Sequence, residues 1–293
     1  MPHDCADPLI NPDESPALDF LPRQNPAHMR AHAQETDGLL ELRFDMATVQ
    51  SAMRLEAPNA LELEYTRVMM RCLLFNPVPD RMLMLGLGGG SLAKYCYHNF
   101  QLADITAVEI NPHVIALRER FRVPPDGPRF RVVQADAAAY VRGIARPAAP
   151  SPIASTANAG QPPTGAADWG GSQDVILVDA FHFDGAPASV NSRSFFAACR
   201  SLLAARGVLV LNMEGEPALY QPVLENLSRA FDGAVWSVPC DASSNRIAFA
   251  ARKEHLMATM RQADARLAAL PAVHRETLTR RVDNRLSFGP LFG

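Results

Sequence analysis

Gly86, Gly88, Gly89 and Gly90 follow an apolar run, and an acid, Glu109, ends the next one. Glycines so placed let backbone N–H groups approach a ligand at a helix N-terminus. An acid at the tip of the following strand can accept two ribose hydroxyls. The separation of Gly86 and Glu109 is close to the ~20 residues typical of such units. The stretch Arg81–Asn111 therefore reads as strand, glycine turn, helix and second strand, a unit that holds an adenosine. Two more acids end apolar runs. Asp136 starts a helical stretch, where a carboxylate caps the helix and can also accept an adenine amino group. Asp179 ends DVILVD. Ligands in open α/β sheets bind beyond the carboxyl ends of the strands, and an acid there can orient or deprotonate a nucleophile. Ile110 and Ala137, beside Glu109 and Asp136, join the expected cofactor set. Tyr65, on an apolar helix, reads by itself as a core aromatic.

The elements that must carry these residues alternate. Strands are expected at Met82–Leu85, Ile105–Glu109, Phe130–Gln134, Val175–Asp179 and Val208–Asn212. Helices are expected at Ser91–Asn99, Pro112–Phe121, Ala137–Ile144, Ser192–Ala205 and Pro217–Phe231. Continuous apolar strands alternating with helices imply a parallel sheet covered on both faces. Ala234–Pro239 and Asn245–Ala250 are joined by a short turn-like bridge with no helix, so they should pair antiparallel. That ending is the layout of the S-adenosylmethionine-type fold and favours a sulfonium cofactor over NAD. The expected fold class is α/β: a Rossmann-like, mostly parallel sheet with a terminal antiparallel hairpin (class I methyltransferase-like), plus a small N-terminal β-hairpin region. Residues 1–37 read as an irregular arm and 38–58 as the hairpin region. A helix over Ala60–Phe75, capped by Asn59, opens a catalytic domain over 59–252. Within it, 146–173 is rich in Pro, Ala, Gly and Ser and reads as a flexible insertion. The tail, 253–293, should form one or two surface helices.

Composition narrows the classes. The 293 residues are 48% hydrophobic, enough for a sizeable core. A net charge of −3 opposes a nucleic-acid binder that works through a basic surface. No apolar run approaches the length of a membrane span, and the first residues lack the features of a signal peptide. The five scattered cysteines show no metal spacing. A cytoplasmic protein without metal, nucleic-acid or membrane partners is expected.

Taken together, these residues resemble the spermidine synthase (polyamine aminopropyltransferase) family from about Leu39 to Ala250. VQSAMRLEAPNALELEYTRVMM supplies Gln50 and Tyr65 where the family has a glutamine in a β-hairpin and a tyrosine on the next helix. The turn GLGGGS, the acid in VEIN, the strand DVILVDAF and the closing hairpin AVWSVP…SSNRIAFAAR follow in order. The resemblance implies transfer of aminopropyl from decarboxylated S-adenosylmethionine to a diamine such as putrescine. Asp179 and Tyr65 would be catalytic, Gln50 would join the cofactor set, and the enzyme would be a homodimer.

Two positions depart from the family. Its turn carries an aspartate where this chain has Gly89, and the second acid of its Asp-Ser-Ser-Asp motif falls on His182. Asp184, Glu64, Glu214 and Glu216 are candidates to replace them, so His182, Asp184 and Tyr65 form the expected substrate-binding set. Gly89 would expose an N–H that tolerates the carboxylate of ordinary S-adenosylmethionine. The alternatives are an S-adenosylmethionine-dependent methyltransferase acting on a small molecule and a catalytically altered cofactor-binding homologue. An NAD-dependent oxidoreductase ranks last.

Overall fold

The computed structural model describes residues 29–44, 49–145, 171–180 and 189–280. Five parallel strands, β4 (Arg81–Leu85), β5 (Asp104–Glu109), β6 (Phe130–Gln134), β7 (Gln173–Val178) and β8 (Leu203–Glu214), form the body of one sheet. The hairpin β9 (Val235–Pro239) and β10 (Asn245–Ala251) closes it, with β10 antiparallel to both β8 and β9. The strand order is β6-β5-β4-β7-β8-β10-β9, the mostly parallel sheet with an antiparallel end that the sequence implied.

Strand periodicity divides the interior into two cores. Met82, Met84, Ile105, Val175, Leu177, Val208, Val210, Ile247 and Phe249 pack in one. Leu83, Leu85, Val108, Ile176, Val178, Leu209, Leu211, Ala248 and Ala250 pack in the other. Successive side chains point to opposite faces, so a strand that is apolar at every position must be covered twice. Helices α4 (Ala137–Ala145), α5 (Arg193–Leu202) and α6 (Pro217–Ala230) cover the second face. The first is covered by α1 (Glu64–Met69) with its 3-10 extension Met70–Leu74, by α2 (Ser91–Asn99) and by a small N-terminal sheet. The short α3 (Pro112–Ala116) follows β5, capped by the Asn111 side chain.

That small sheet has three antiparallel strands, β1 (His32–Thr36), β2 (Leu39–Arg43) and β3 (Val49–Arg54). β1 lies within the stretch expected to be irregular. The turn before β2 is Asp37–Gly38, both at positive φ (50° and 74°), a dipeptide suited to a tight hairpin. The strand it introduces, HAQET, is polar and largely exposed, so it carries no apolar alternation.

Four other expectations need correction. The helix expected over Pro112–Phe121 ends at Ala116. The first helix begins at Glu64, with Leu63 and not Asn59 at its cap. The buried Arg67 guanidinium donates to the carbonyls of Leu61 and Glu62 at 2.9 and 2.6 Å and so holds the preceding chain out of the helix. The fifth helix stops at Leu202, because Leu203 turns extended to open β8. The tail forms three helices, α7 (Lys253–Arg261), α8 (Ala263–Ala269) and α9 (Ala272–Thr279), and it is not confined to the surface. Leu256, Ala263, Leu270 and Leu278 are buried, and His274 bonds the Tyr95 hydroxyl at 2.7 Å while stacking on Phe100. No helix among the described residues is long and apolar enough to cross a membrane.

Candidate active site

Register places the chemistry in one row. Leu85 of β4 pairs with Val108 of β5 and Val178 of β7, and Val178 pairs with Leu211 of β8. The next residue on each strand is Gly86, Glu109, Asp179 and Asn212. Alternation puts the last three on the same side of the sheet as Ala107, Leu177 and Val210, the side covered by α1 and the N-terminal sheet. A cavity of about 620 Å³ opens there, within the ordinary size of a small-molecule site.

The acids in this row are held in different ways. Glu109 is buried. One carboxylate oxygen accepts the N–H of Leu87 in the glycine turn at 2.9 Å, and the other accepts the N–H of Asn111 at 2.8 Å. A carboxylate has about four lone-pair sites, so two remain for a ligand. Asp136 accepts the N–H of Ala139 at 2.7 Å and so caps α4, while the residue also lines the cavity. Asp179 accepts the Tyr65 hydroxyl on Oδ2 at 3.2 Å and the Asn212 amide on Oδ1 at 2.9 Å. Asn245 of β10 donates in turn to the Asn212 side-chain oxygen at 3.0 Å. Burial pushes Asp179 above the usual carboxylate range, against the downward pull of its Asn212 and Tyr65 bonds. Glu214 and Glu109 push it further up. Burial and the Asp179 charge together hold the Tyr65 phenol well above its ordinary value, so it is a donor at neutral pH.

Among the expected site residues, Gln50, Tyr65, Gly86, Gly88, Glu109, Ile110, Asp136, Ala137 and Asp179 line this one cavity. The Tyr65 hydroxyl also stands 3.5 Å from the Gln50 carbonyl oxygen. Gly89 and Gly90 lie behind it, against Ser51 with Phe121, and against Val123. His182 and Asp184 fall outside the described residues. Of the proposed replacement acids, Glu64 and Glu214 reach the cavity; Glu216 stands at the N-cap position of α6, makes no side-chain capping bond and is absent from the lining. Asn212, Asn245 and Ser51 were not anticipated. Asn212 had a visible signal, as a polar residue closing the apolar run VLVLN.

Gly89 differs from expectation in a way packing explains. It is buried and packs beside Ser51 and Phe121, outside the residues that line the cavity. Its φ lies outside the left-handed region, yet a Cβ would sit 2.7 Å from Ser51 Oγ and 2.9 Å from Phe121 Cδ1. Ser51, whose hydroxyl lies 3.3 Å from that of Ser91, fills the space a side chain at 89 would need. Gly89→Asp therefore loses about 1–3 kcal/mol of stability through overpacking, read as a lower urea midpoint. Adding Ser51→Gly returns part of it. An unchanged midpoint in the single variant would contradict this packing.

Among the described residues no group of three or more His, Cys, Asp or Glu is placed to hold a metal ion. No family model matches the chain. A polyamine aminopropyltransferase of Chromobacterium violaceum is 33% identical over 239 residues, which are 81% of this chain and 79% of that one. The solved spermidine synthase of Thermotoga maritima is similar with a TM-score of 0.53 at 17% identity, over 85% of this chain and 87% of that one. Human methyltransferase-like protein 13, solved in complex with SAH, gives a TM-score of 0.55 at 22% identity, over 78% of this chain and 98% of that one. At such identities the two structures speak for the fold, and the Chromobacterium relative speaks for the family.

Proposed function

The chain belongs to the polyamine aminopropyltransferase family, and from that premise we propose that it moves aminopropyl from decarboxylated S-adenosylmethionine to a diamine such as putrescine. The observation that carries the substrate class is the charge of the cavity. Six carboxylates line it, those of Glu62, Glu64, Glu109, Asp136, Asp179 and Glu214, and no Lys, Arg or His does so among the described residues. Such a site suits an amine and a sulfonium. Among the described residues it offers no cation to pair with the carboxylate of ordinary S-adenosylmethionine, whose burial unpaired beside like charges is costly. That favours the decarboxylated donor.

In this reading Glu109 takes the ribose hydroxyls on its two remaining lone-pair sites, while Gly86 and Gly88 let the turn lie close to the nucleoside. Asp136 stands by for the adenine amino group, with Ile110 and Ala137 beside the two acids and Gln50 also lining the cavity. The acceptor amine approaches the aminopropyl carbon attached to sulfur, from the side opposite the sulfur. A new C–N bond forms as the C–S bond breaks, and its electron pair returns to sulfur to leave neutral methylthioadenosine. Nitrogen, now carrying an extra proton, passes it to the Asp179 carboxylate. A free diamine has a pKa near ~10 by analogy with lysine, so a base that strips or orients it matters. Fixing amine and sulfonium in line supplies a further share of the barrier reduction as a proximity effect.

The test is incubation with decarboxylated S-adenosylmethionine and a panel of diamines, following methylthioadenosine by chromatography, with calorimetric titration of both donor forms. Methylthioadenosine release and tighter binding of the decarboxylated donor are expected. S-adenosylhomocysteine from ordinary S-adenosylmethionine, with no methylthioadenosine from any amine, would overturn the proposal in favour of a methyltransferase.

A further inference from the structure

We propose that Asn245 is a positioning residue for the base: from β10 it fixes the side-chain amide of Asn212 with the NH₂ group turned to Asp179. This rests on the reading of Asp179 as the base given above. An asparagine amide carries one accepting oxygen and one donating NH₂ group of similar size, so packing alone does not choose which of them faces a neighbour. For Asn212 the choice matters. As it stands, its NH₂ donates to Asp179 Oδ1 at 2.9 Å, a bond that a carboxylate accepts without any proton of its own. Turned round, it would set its oxygen against the carboxyl oxygen, which is favourable only when Asp179 is protonated and can donate. The orientation of this amide and the protonation of this acid are therefore linked.

Asn245 biases that choice. Its side-chain NH₂ donates to the Asn212 oxygen at 3.0 Å. Asn212 and Asn245 are 3% and 8% exposed, so a lost partner is not simply replaced by bulk water. In the β8–β10 ladder Asn245 stands opposite Glu214, and Asn212 stands opposite Ile247. Asn212 is thus its diagonal neighbour on the same face. Reversing Asn212 alone would turn two NH₂ groups toward each other. Reversing both amides together would turn the Asn245 oxygen toward β8, the side on which the Glu214 carboxylate lies. Asn245 itself is set by the hairpin, since its carbonyl accepts the Cys240 N–H at 2.8 Å. The antiparallel end of the sheet in this way reaches the tip of β7 through one intervening side chain.

The experiment reads the protonation midpoint of Asp179 in two ways. One is the acid limb of kcat/KM for methylthioadenosine release. The other is the carboxyl ¹³C shift, in the free enzyme, that disappears in Asp179→Asn. The titratable groups that bear on Asp179 are Tyr65 of α1, Glu214 of β8 and Glu109 of β5, and every variant leaves them in place. Asn245→Leu has a similar shape and cannot donate. It should raise the midpoint by about half to one pH unit, the worth of one neutral hydrogen bond. Asn245→Asp can only accept from Asn212 when ionised and adds a like charge, so it should raise the midpoint further; it also serves if the leucine variant does not fold. Asn212→Leu loses a bond to a charged group and should raise the midpoint by about one to two units. In that background Asn245→Leu should move it no further. An unchanged midpoint in both Asn245 variants overturns the role of Asn245 and leaves Asp179 as the base. An Asn245→Leu shift that persists undiminished without Asn212 overturns the relay. If wild type releases no methylthioadenosine with any amine, the transfer reading falls, and the carbon titration still decides whether Asn245 acts on Asp179.

Discussion

Asp179→Asn lowers the rate of methylthioadenosine release about 10³-fold, the middle of the range for a lost general base, while donor binding measured by calorimetry stays within a small factor. Both bonds to this carboxylate come from donors, the Tyr65 hydroxyl and the Asn212 amide. An asparagine offers one acceptor oxygen and one NH₂ group. It can satisfy only one of those donors as they stand, and it cannot take a proton from the amine. The pH profile gives an independent reading. A carboxylate base works only when deprotonated, so kcat/KM rises on the acid side as Asp179 loses its proton. Burial sets that limb above the ordinary carboxylate range. The Tyr65 hydroxyl favours the charged form by donating to it, so Tyr65→Phe moves the limb to higher pH. Asp179→Asn with wild-type turnover, or a Tyr65→Phe limb displaced to lower pH, would remove the pair from the mechanism.

The legible part of this site is the part written in apolar runs. Strands buried on both faces are continuous, so the point where the run stops marks the tip, and Glu109 and Asp179 stand at those stops. Contacts between distant segments were not legible. Ser51 fills the space beside Gly89 only because β3 docks on the glycine turn, and nothing near either residue announces the other. Asn212 closes a readable run, but its bond to Asp179 follows from the register of β7 and β8, which no single segment encodes. β1 escaped because a polar, exposed edge strand has no apolar period; its one local signal is Asp37–Gly38. The start of α1 was misplaced because a buried arginine, acting through its side chain, overrides a good capping residue. Glu214 was visible as an acid.

Gly86→Ala is the substitution expected to cost most in stability, about 3 kcal/mol or more, in the range reserved for strain at a special backbone position combined with overpacking. Gly86 sits at φ 103°, where an L-residue pays about 1–2 kcal/mol. In addition, a Cβ there would overlap the carbonyl oxygen of Asp179. Neither group can retreat easily. Gly86 donates to the Val108 carbonyl at 2.8 Å and Asp179 donates to the Leu85 carbonyl at 2.9 Å, so separating them disturbs the parallel ladder on both sides of β4. Gly38→Ala is the control, because Gly38 also has positive φ, 74°, but open space where its Cβ would stand. Urea unfolding of the two variants separates backbone strain from collision: Gly38→Ala should lose about 1 kcal/mol and Gly86→Ala several times that. The same collision reaches the chemistry, since the carbonyl that must yield belongs to Asp179 itself. Turnover in Gly86→Ala should therefore fall even at temperatures where the variant remains folded. Equal losses in the two variants would mean that the close approach of the glycine turn to the tip of β7 contributes nothing, and with it would go the reason this position admits no side chain.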